Sequence, residues 1–161
     1  MRVLLTETKS TLLDELNVRI LEELTTDARL RTTELARRLG VSTPTVRERV
    51  TRLEEAGVIR GYRLDIDPAA LGRPVAAWVR LQPGPGQVLR IAELARSTPE
   101  VVECHRISGE DCFLMRVQVP AIDKLEDLLD RFAPYGRTNS SFVVSTPVPP
   151  RAVPLDRPSA G

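Results

Sequence analysis

The sequence predicts an α+β fold in two parts, an N-terminal winged helix-turn-helix and a C-terminal ferredoxin-like βαββαβ domain. Apolar residues recur every three or four positions through residues 14–57, which predicts helices. After residue 73, stretches of alternating apolar and polar residues are interleaved with two further helical patterns. Positive charge is concentrated in the first part, because residues 30–63 hold eight arginines and four glutamates while the whole chain has a net charge of +1.

The predicted boundaries divide the chain into five segments. These are a flexible arm over residues 1–11, a helical domain over 12–63, a hinge over 64–73, a βαββαβ domain over 74–147 and a proline-rich disordered tail over 148–161. With two cysteines, one histidine and no apolar run of membrane-spanning length, the composition indicates neither a disulfide scaffold nor a membrane protein. A soluble cytoplasmic protein is expected.

Residues 32–57 predict two short helices joined by a tight turn. Gly40 follows the first helix, where a left-handed residue can end it, and Ser42 can cap the second. A preceding helix from Asp14 to about Thr25 would cover the pair with its apolar stripe. This is the layout of a helix-turn-helix, whose second helix enters the DNA major groove. The alternative is an ordinary helical hairpin with solvated charges.

The second helix of the pair offers the candidate DNA contacts. Threonine hydroxyls and proline carbons suit shallow base contacts, whereas arginines either bond a guanine edge or hold phosphate. Glu48 either accepts from cytosine or orients an arginine, and Arg49 either contacts DNA or pairs with Glu22, Glu23 or Glu54. The candidate DNA-binding residues are Arg38, Ser42, Thr43, Pro44, Thr45, Arg47, Glu48, Arg49, Arg52 and Arg60.

The segment Val58 to Ile66 reads as an extended strand directly after this helix, and we interpret it as a wing. Arg60 and Arg63 there either reach the phosphate backbone or remain solvated charges on an edge. Residues 67–72 predict one helical turn closed by glycine, and hence a hinge.

The second part alternates strands and helices. Alternation of apolar residues predicts the first strand, and short helical patterns and a glycine-containing hairpin predict the later elements. The expected order is strand 74–82, helix 88–97, strands 101–108 and 112–119, helix 122–132 and strand 138–146. Trp78 would lie in the core or, as we favour, at an interface between subunits.

Two further kinds of chemistry are not supported by the sequence. Cys104, His105 and Cys112 lack the spacing of a metal site, since the first two are adjacent in a strand and point to opposite faces. Small cysteines in a sheet are the simpler interpretation, with a redox role for Cys112 as a weak alternative. No nucleophile, acid–base pair or phosphate-binding loop is present, so neither an enzyme nor a cofactor is predicted.

With both parts described, the chain resembles the Lrp/AsnC, or feast/famine, family of transcriptional regulators. The resemblance is carried in order by residues 13–21, 34–42, 49–62 and 103–110, and it spans roughly residues 12–148. It implies a winged helix-turn-helix joined to a ferredoxin-like regulatory domain, called RAM. It also implies dimers formed through the regulatory sheets, further assembly into tetramers or octamers, and small effectors, usually amino acids, bound near the glycine hairpin.

The hairpin departs from the family pattern at one position. The family usually has aspartate three residues after the glycine, whereas this chain has Cys112 there and Asp111 one residue earlier. Backbone N–H groups of a hairpin can bind a carboxylate, and an acidic side chain can bind an ammonium group. The candidate effector-binding residues are Gly109, Glu110, Asp111, Thr138 and Ser140, with an ordinary solvated hairpin as the alternative.

The favoured hypothesis is a sequence-specific DNA-binding regulator whose assembly responds to an amino acid or related metabolite. A second hypothesis is an architectural protein that bridges double-stranded DNA without an effector. A third is a metabolic enzyme or its regulatory subunit, against which the missing catalytic residues argue.

Overall fold

The computed structural model describes residues 12–109 and 112–155. The chain forms two compact units, which are described separately. The first unit holds residues 12–64 together with residues 150–155, and the second holds residues 65–149. No helix in the described ranges combines the length and the apolar character needed to cross a membrane.

The first unit contains three helices, α1 (Glu15–Thr26), α2 (Thr32–Leu39) and α3 (Thr43–Glu55). Their ends are set by local sequence as predicted. The Asn17 amide donates to Asp14 Oδ1 over 2.8 Å, and the Thr45 amide donates to Ser42 Oγ over 3.2 Å. Gly40 ends α2 at a φ of 71°, in the left-handed region that a glycine adopts without strain.

One apolar core holds these helices together. Its buried members come from all three helices, namely Ile20, Leu21, Leu35, Ala36, Leu39, Val46 and Leu53. Burying a single side chain of this size contributes about 1.5–3 kcal/mol, so the core fixes α3 with its polar side turned outward.

The predicted strand over residues 58–66 is wrong. The amides of Val58 and Ile59 donate to the Leu53 carbonyl over 2.9 and 3.0 Å, and the residues that follow have no sheet pairing. A strand needs a hydrogen-bonded neighbour, and none of the described residues supplies one. The Tyr62 hydroxyl donates to Glu54 Oε1 over 3.0 Å, which ties the segment back to α3.

The second unit has the predicted βαββαβ order. Its elements are β1 (Val75–Pro83), α4 (Val88–Ser97), β2 (Val101–Arg106), β3 (Phe113–Val119), α5 (Ile122–Phe132), a 3-10 turn (Ala133–Tyr135) and β4 (Gly136–Phe142). The strands form one antiparallel sheet in the order β2-β3-β1-β4, which confirms the ferredoxin-like topology. β2 and β4 end earlier than predicted.

The helices cover one side of this sheet. Ala77, Val79 and Leu81 of β1 alternate toward the helices and are fully buried, as the sequence predicts. Gly136 begins β4 so close to β1 that an added Cβ would lie 2.2 Å from the Gln82 carbonyl oxygen. Only a residue without a side chain fits there, and the edge strand depends on it.

The tail departs from the prediction of disorder at one residue. Residues 148–155 have neither helix nor strand, but Leu155 is half-buried and packs against the core of the first unit. Val148 and Val153 of the same segment stay exposed. A single apolar side chain therefore anchors this part of the tail. Predictions for residues 1–11 and 156–161 lie outside the described residues.

Candidate DNA-binding face and regulatory surfaces

The outward side of α3, here called the outer face, presents charged and hydroxyl-bearing side chains together with exposed carbon atoms. It is lined by Thr43, Pro44, Arg47, Glu48, Thr51, Arg52 and Glu55. The helix presents these residues together because its other side is held in the core by Val46 and Leu53, both fully buried. The outer face carries two arginines and two glutamates, so its formal charge is zero.

Within the outer face, Glu48 and Arg52 form an ion pair. Glu48 Oε1 lies 2.7 Å from Arg52 Nη2, one helical turn apart, and both side chains are about three-fifths exposed, at 61% and 60%. Water screens such a pair in the isolated protein, so it contributes little to folding. Its consequence is that the Arg52 guanidinium has a defined partner before any ligand arrives.

Two candidate DNA-binding arginines are held by carboxylates elsewhere in the unit. Arg38 pairs with Glu23 over 2.8 Å and with Glu34 over 3.0 Å, so one guanidinium joins α1 to α2. Arg49 pairs with Asp14, whereas the sequence suggested Glu22, Glu23 or Glu54 as its partner. Both arginines therefore brace α1 against the helix-turn-helix.

These contacts perturb two carboxyl groups. Hydrogen bonds from Arg37 and then from Arg38 lower the pKa of Glu34 to about 2. Burial tends to raise the pKa of Asp14, but hydrogen bonds from the Asn17 amide and from Arg49 outweigh it, and the pKa is lowered. Both groups are therefore anions across the neutral range and keep their arginines engaged.

Other arginines of this unit have no such restraint. Arg31, Arg47, Arg60 and Arg63 are exposed and pair with no carboxylate in the part of the chain that the structure describes. Arg31 was missed by the sequence interpretation, because charge counting does not show which arginines are already paired. Unpaired guanidiniums are the groups best able to take up a phosphate.

The candidate hydroxyls are engaged in the helix cap. Ser42 Oγ and Thr45 Oγ1 lie 2.7 Å apart, and Ser42 Oγ also accepts from the Thr45 amide. Thr43 is half-buried and Pro44 is exposed. The first turn of α3 thus presents the carbon atoms of Pro44 and one hydrogen-bonded pair of hydroxyls.

The candidate effector residues fall into two groups in a protomer. Gly109 is exposed at a φ of 108°, while Glu110 and Asp111 lie outside the described residues. Thr138 and Ser140 lie on β4, paired with Leu81 and Val79 of β1. Because β1 separates β4 from β3, Thr138 and Ser140 lie about 10 Å from the β3 backbone. The described candidates of β4 therefore lie on the far side of β1 from β3, the strand that follows the hairpin.

The comparisons with known proteins agree with this architecture. Residues 13–60 match a winged helix-turn-helix DNA-binding domain, and residues 75–153 match the Lrp/AsnC ligand binding domain. The chain is 32% identical to the HTH-type transcriptional regulator LrpC of Bacillus subtilis, over 83% of this chain and 92% of the relative. It is 35% identical to LrpA of Mycobacterium tuberculosis, over 83% and 91%.

The chain belongs to the Lrp/AsnC family of transcriptional regulators. The solved structure of B. subtilis LrpC superimposes with a TM-score of 0.79, covering 83% of this chain and 95% of that one. The feast or famine regulatory protein of M. tuberculosis complexed with L-methionine superimposes with a TM-score of 0.82 at 34% identity, covering 91% and 99%.

In the sheet of this Lrp/AsnC regulator, α4 and α5 both cover one side, and the opposite side is here called the open face. Because side chains alternate along a strand, Trp78 and Arg80 of β1 point there, beside Arg116 and Leu114 of β3. Trp78 is only half-buried. A large aromatic side chain in this position leaves apolar surface uncovered in the isolated protomer.

The cysteines of this Lrp/AsnC regulator do not form a metal cluster. No group of three or more His, Cys, Asp or Glu side chains within residues 12–109 and 112–155 is arranged to hold an ion. Cys104 is exposed at the edge strand, and local burial raises the pKa of its thiol. His105 pairs instead with Glu103, over 2.6 Å.

Proposed function

We propose that the outer face of α3, apart from Arg47, reads base edges while Arg31, Arg47, Arg60 and Arg63 hold the flanking phosphates. The observation that carries this assignment is the division of the arginines. Within residues 30–63, Arg37, Arg38, Arg49 and Arg52 are paired with carboxylates, whereas these four are exposed and unpaired among the described residues. Phosphate contacts set orientation and affinity, and base contacts set sequence preference.

Salt dependence measures this division directly. Each phosphate neutralised by a cation releases counterions, so the slope of log K against log salt changes by about 0.9 per contact. If Arg47 holds a phosphate, Arg47→Ala should reduce the slope by about 1 and weaken binding to all sequences nearly equally. Arg37→Ala is the matched control, because Arg37 is exposed but paired with Glu34 over 2.6 Å.

The measurement is fluorescence anisotropy with a duplex that the wild-type protein enriches from a random pool. An Arg47→Ala protein with wild-type slope and affinity would contradict the assignment. An architectural DNA-bridging role is the second candidate, since the surplus of eight arginines over four glutamates in residues 30–63 also suits any duplex. If the wild type binds with a steep salt slope but enriches no sequence, that role is favoured.

The regulatory domain would bind an L-amino acid near the Gly109 hairpin. Support comes from the matched ligand binding domain, from the relative complexed with L-methionine, and from the exposed hairpin glycine. We infer that the hairpins of neighbouring subunits contribute to the site, because the β4 candidates lie two strands away from β3 in the sheet of one protomer. Thr138 and Ser140 would then belong to a separate surface or be completed by a partner.

Titration calorimetry tests this part of the proposal. L-methionine should release or absorb heat in a saturable way, and D-methionine should not, because a built site distinguishes the enantiomers. Asp111→Asn should weaken binding at least about tenfold if Asp111 holds the ammonium group, since hydrogen bonds to charged groups contribute about 1.5–3 kcal/mol. Equal affinity in Asp111→Asn would show that another group holds it.

Self-assembly would place two such DNA-binding units on one operator. Several of the described apolar side chains are uncovered in the protomer, and two of the surfaces that carry them are candidate interfaces. One is the open face around Trp78, and the other is the unpaired segment in which Tyr62, Leu64 and Ile66 are 50%, 81% and 51% exposed. Paired units would read half-sites about one helical turn apart. Sedimentation analysis of Trp78→Glu should show smaller particles than wild type, and unchanged particles would exclude the open face as the interface.

A further inference from the structure

The outer face of α3 has a charge pattern that does not suit simple attraction to DNA. Its two arginines are offset by Glu48 and Glu55, so the surface proposed to approach a polyanion is neutral. A carboxylate facing DNA is repelled by phosphate unless it accepts from a base or neutralises a cation. Glu48 does the latter in the structure, because its Oε1 lies 2.7 Å from Arg52 Nη2.

The ion pair changes what Arg52 can do. An unpaired arginine can bond either a phosphate or a base. When a neighbouring carboxylate neutralises the arginine, its electrostatic attraction to a phosphate is weaker. Its fork of N–H donors remains directional, and one contact to Glu48 leaves most of them for another partner. A guanine edge, with its O6 and N7 acceptors, matches that fork in the major groove.

We propose that Glu48 is a positioning residue for DNA specificity, which holds Arg52 toward a guanine edge and disfavours its use as a phosphate contact. This inference rests on the proposed function, since it assumes that the outer face lies in the groove. Glu48 lowers affinity for unrelated DNA and raises the ratio of specific to non-specific binding. The pair matters on the duplex rather than in the isolated protein, where water screens it.

Glu48→Gln tests the proposal, with Glu55→Gln as the matched control. Both changes remove one carboxylate from the outer face of the same helix, but Glu48 is paired with Arg52 whereas Glu55 has no arginine partner among the described residues. The probes are a duplex enriched by the wild type from a random pool and a scrambled duplex of the same composition. Melting temperatures verify that both variants remain folded.

The expected results distinguish the effect of removing a negative charge from the effect of releasing Arg52 from its position. Both variants should bind the scrambled duplex several-fold more tightly, because each has lost one repelling charge. Of the two variants, only Glu48→Gln should reduce the ratio of specific to scrambled binding. The expected reduction is about tenfold, which is the loss that one base contact causes. The sequences that this variant selects should also contain less guanine at one position. Glu48→Asp, which keeps the charge but is shorter by one methylene, should also lose specificity.

Two results would overturn the inference. If Glu48→Gln and Glu55→Gln keep the same specificity ratio and select the same sequence as the wild type, Glu48 is only a surface charge and the proposed function stands. If the wild type itself enriches no sequence, the proposed function fails together with this inference.

Discussion

The anchoring of the tail by Leu155 leads to a quantitative prediction about the DNA-binding unit. Leu155 is half-buried against the same core that holds α3, whereas Val153, two residues earlier, is 79% exposed. Full burial of a leucine is worth about 1.5–3 kcal/mol, so a half-buried one contributes about 1 kcal/mol. Leu155→Ser should remove that contribution, and Val153→Ser should remove almost none.

Calorimetry of the full chain can resolve this difference. In a domain of this size, a loss of about 1 kcal/mol lowers the unfolding midpoint by about 4–8 °C. We expect the transition of the DNA-binding unit to shift by that amount in Leu155→Ser, while the transition of the sheet domain stays in place. Equal midpoints for Leu155→Ser and Val153→Ser would refute the reasoning, since the tail would then contribute nothing to the core.

Three more predictions concern individual contacts. Arg37 and Arg38 lower the pKa of Glu34 from the ordinary 4.5 to about 2. The Glu34 carboxylate therefore contributes its full stabilisation above pH 4.5, and this stabilisation is lost as the pH falls through about 2. In Arg37→Gln, carboxyl NMR titration should show the Glu34 pKa rising toward 4.5, and an unchanged value would contradict the pairing. Gly136→Ala should destabilise the sheet domain by more than about 1 kcal/mol, because the added Cβ would lie 2.2 Å from a carbonyl oxygen. Urea titration measures this loss, and wild-type stability in the variant would contradict the close approach. Because Arg49 is paired with Asp14, Arg49→Gln should lower the free energy of unfolding by at most about 1 kcal/mol. The slope of log K for DNA binding against log salt should stay unchanged. A smaller slope would instead identify Arg49 as a phosphate contact.

The features that sequence reasoning predicted well depend on neighbouring residues. α4 and α5 have the predicted limits, because a helix of ten or eleven residues carries its own periodicity. The caps formed by Asp14 and Ser42, and the left-handed Gly40, also depend only on residues within a turn. The order of the strands followed from alternation together with short connections.

The errors concern contacts that are distant in sequence. The extended segment after α3 was predicted as a strand, but local alternation does not show whether a partner strand exists. Arg49 is separated from Asp14 by 35 positions, and any of several glutamates seemed equally available. Leu155 lies in a proline-rich tail whose composition gives no sign that one side chain finds a core. The assignment of paired and unpaired arginines needed the structure for the same reason.

Whether α3 and the residues just after it meet the duplex is tested most directly by hydrogen exchange. The full chain would be compared with and without its enriched duplex at low ionic strength, using peptides that cover residues 42–52, 57–63 and 113–119. We expect slower exchange in the first two segments and no change in β3. Protection confined to the sheet domain, or none at all, would show that the duplex is bound elsewhere or not at all.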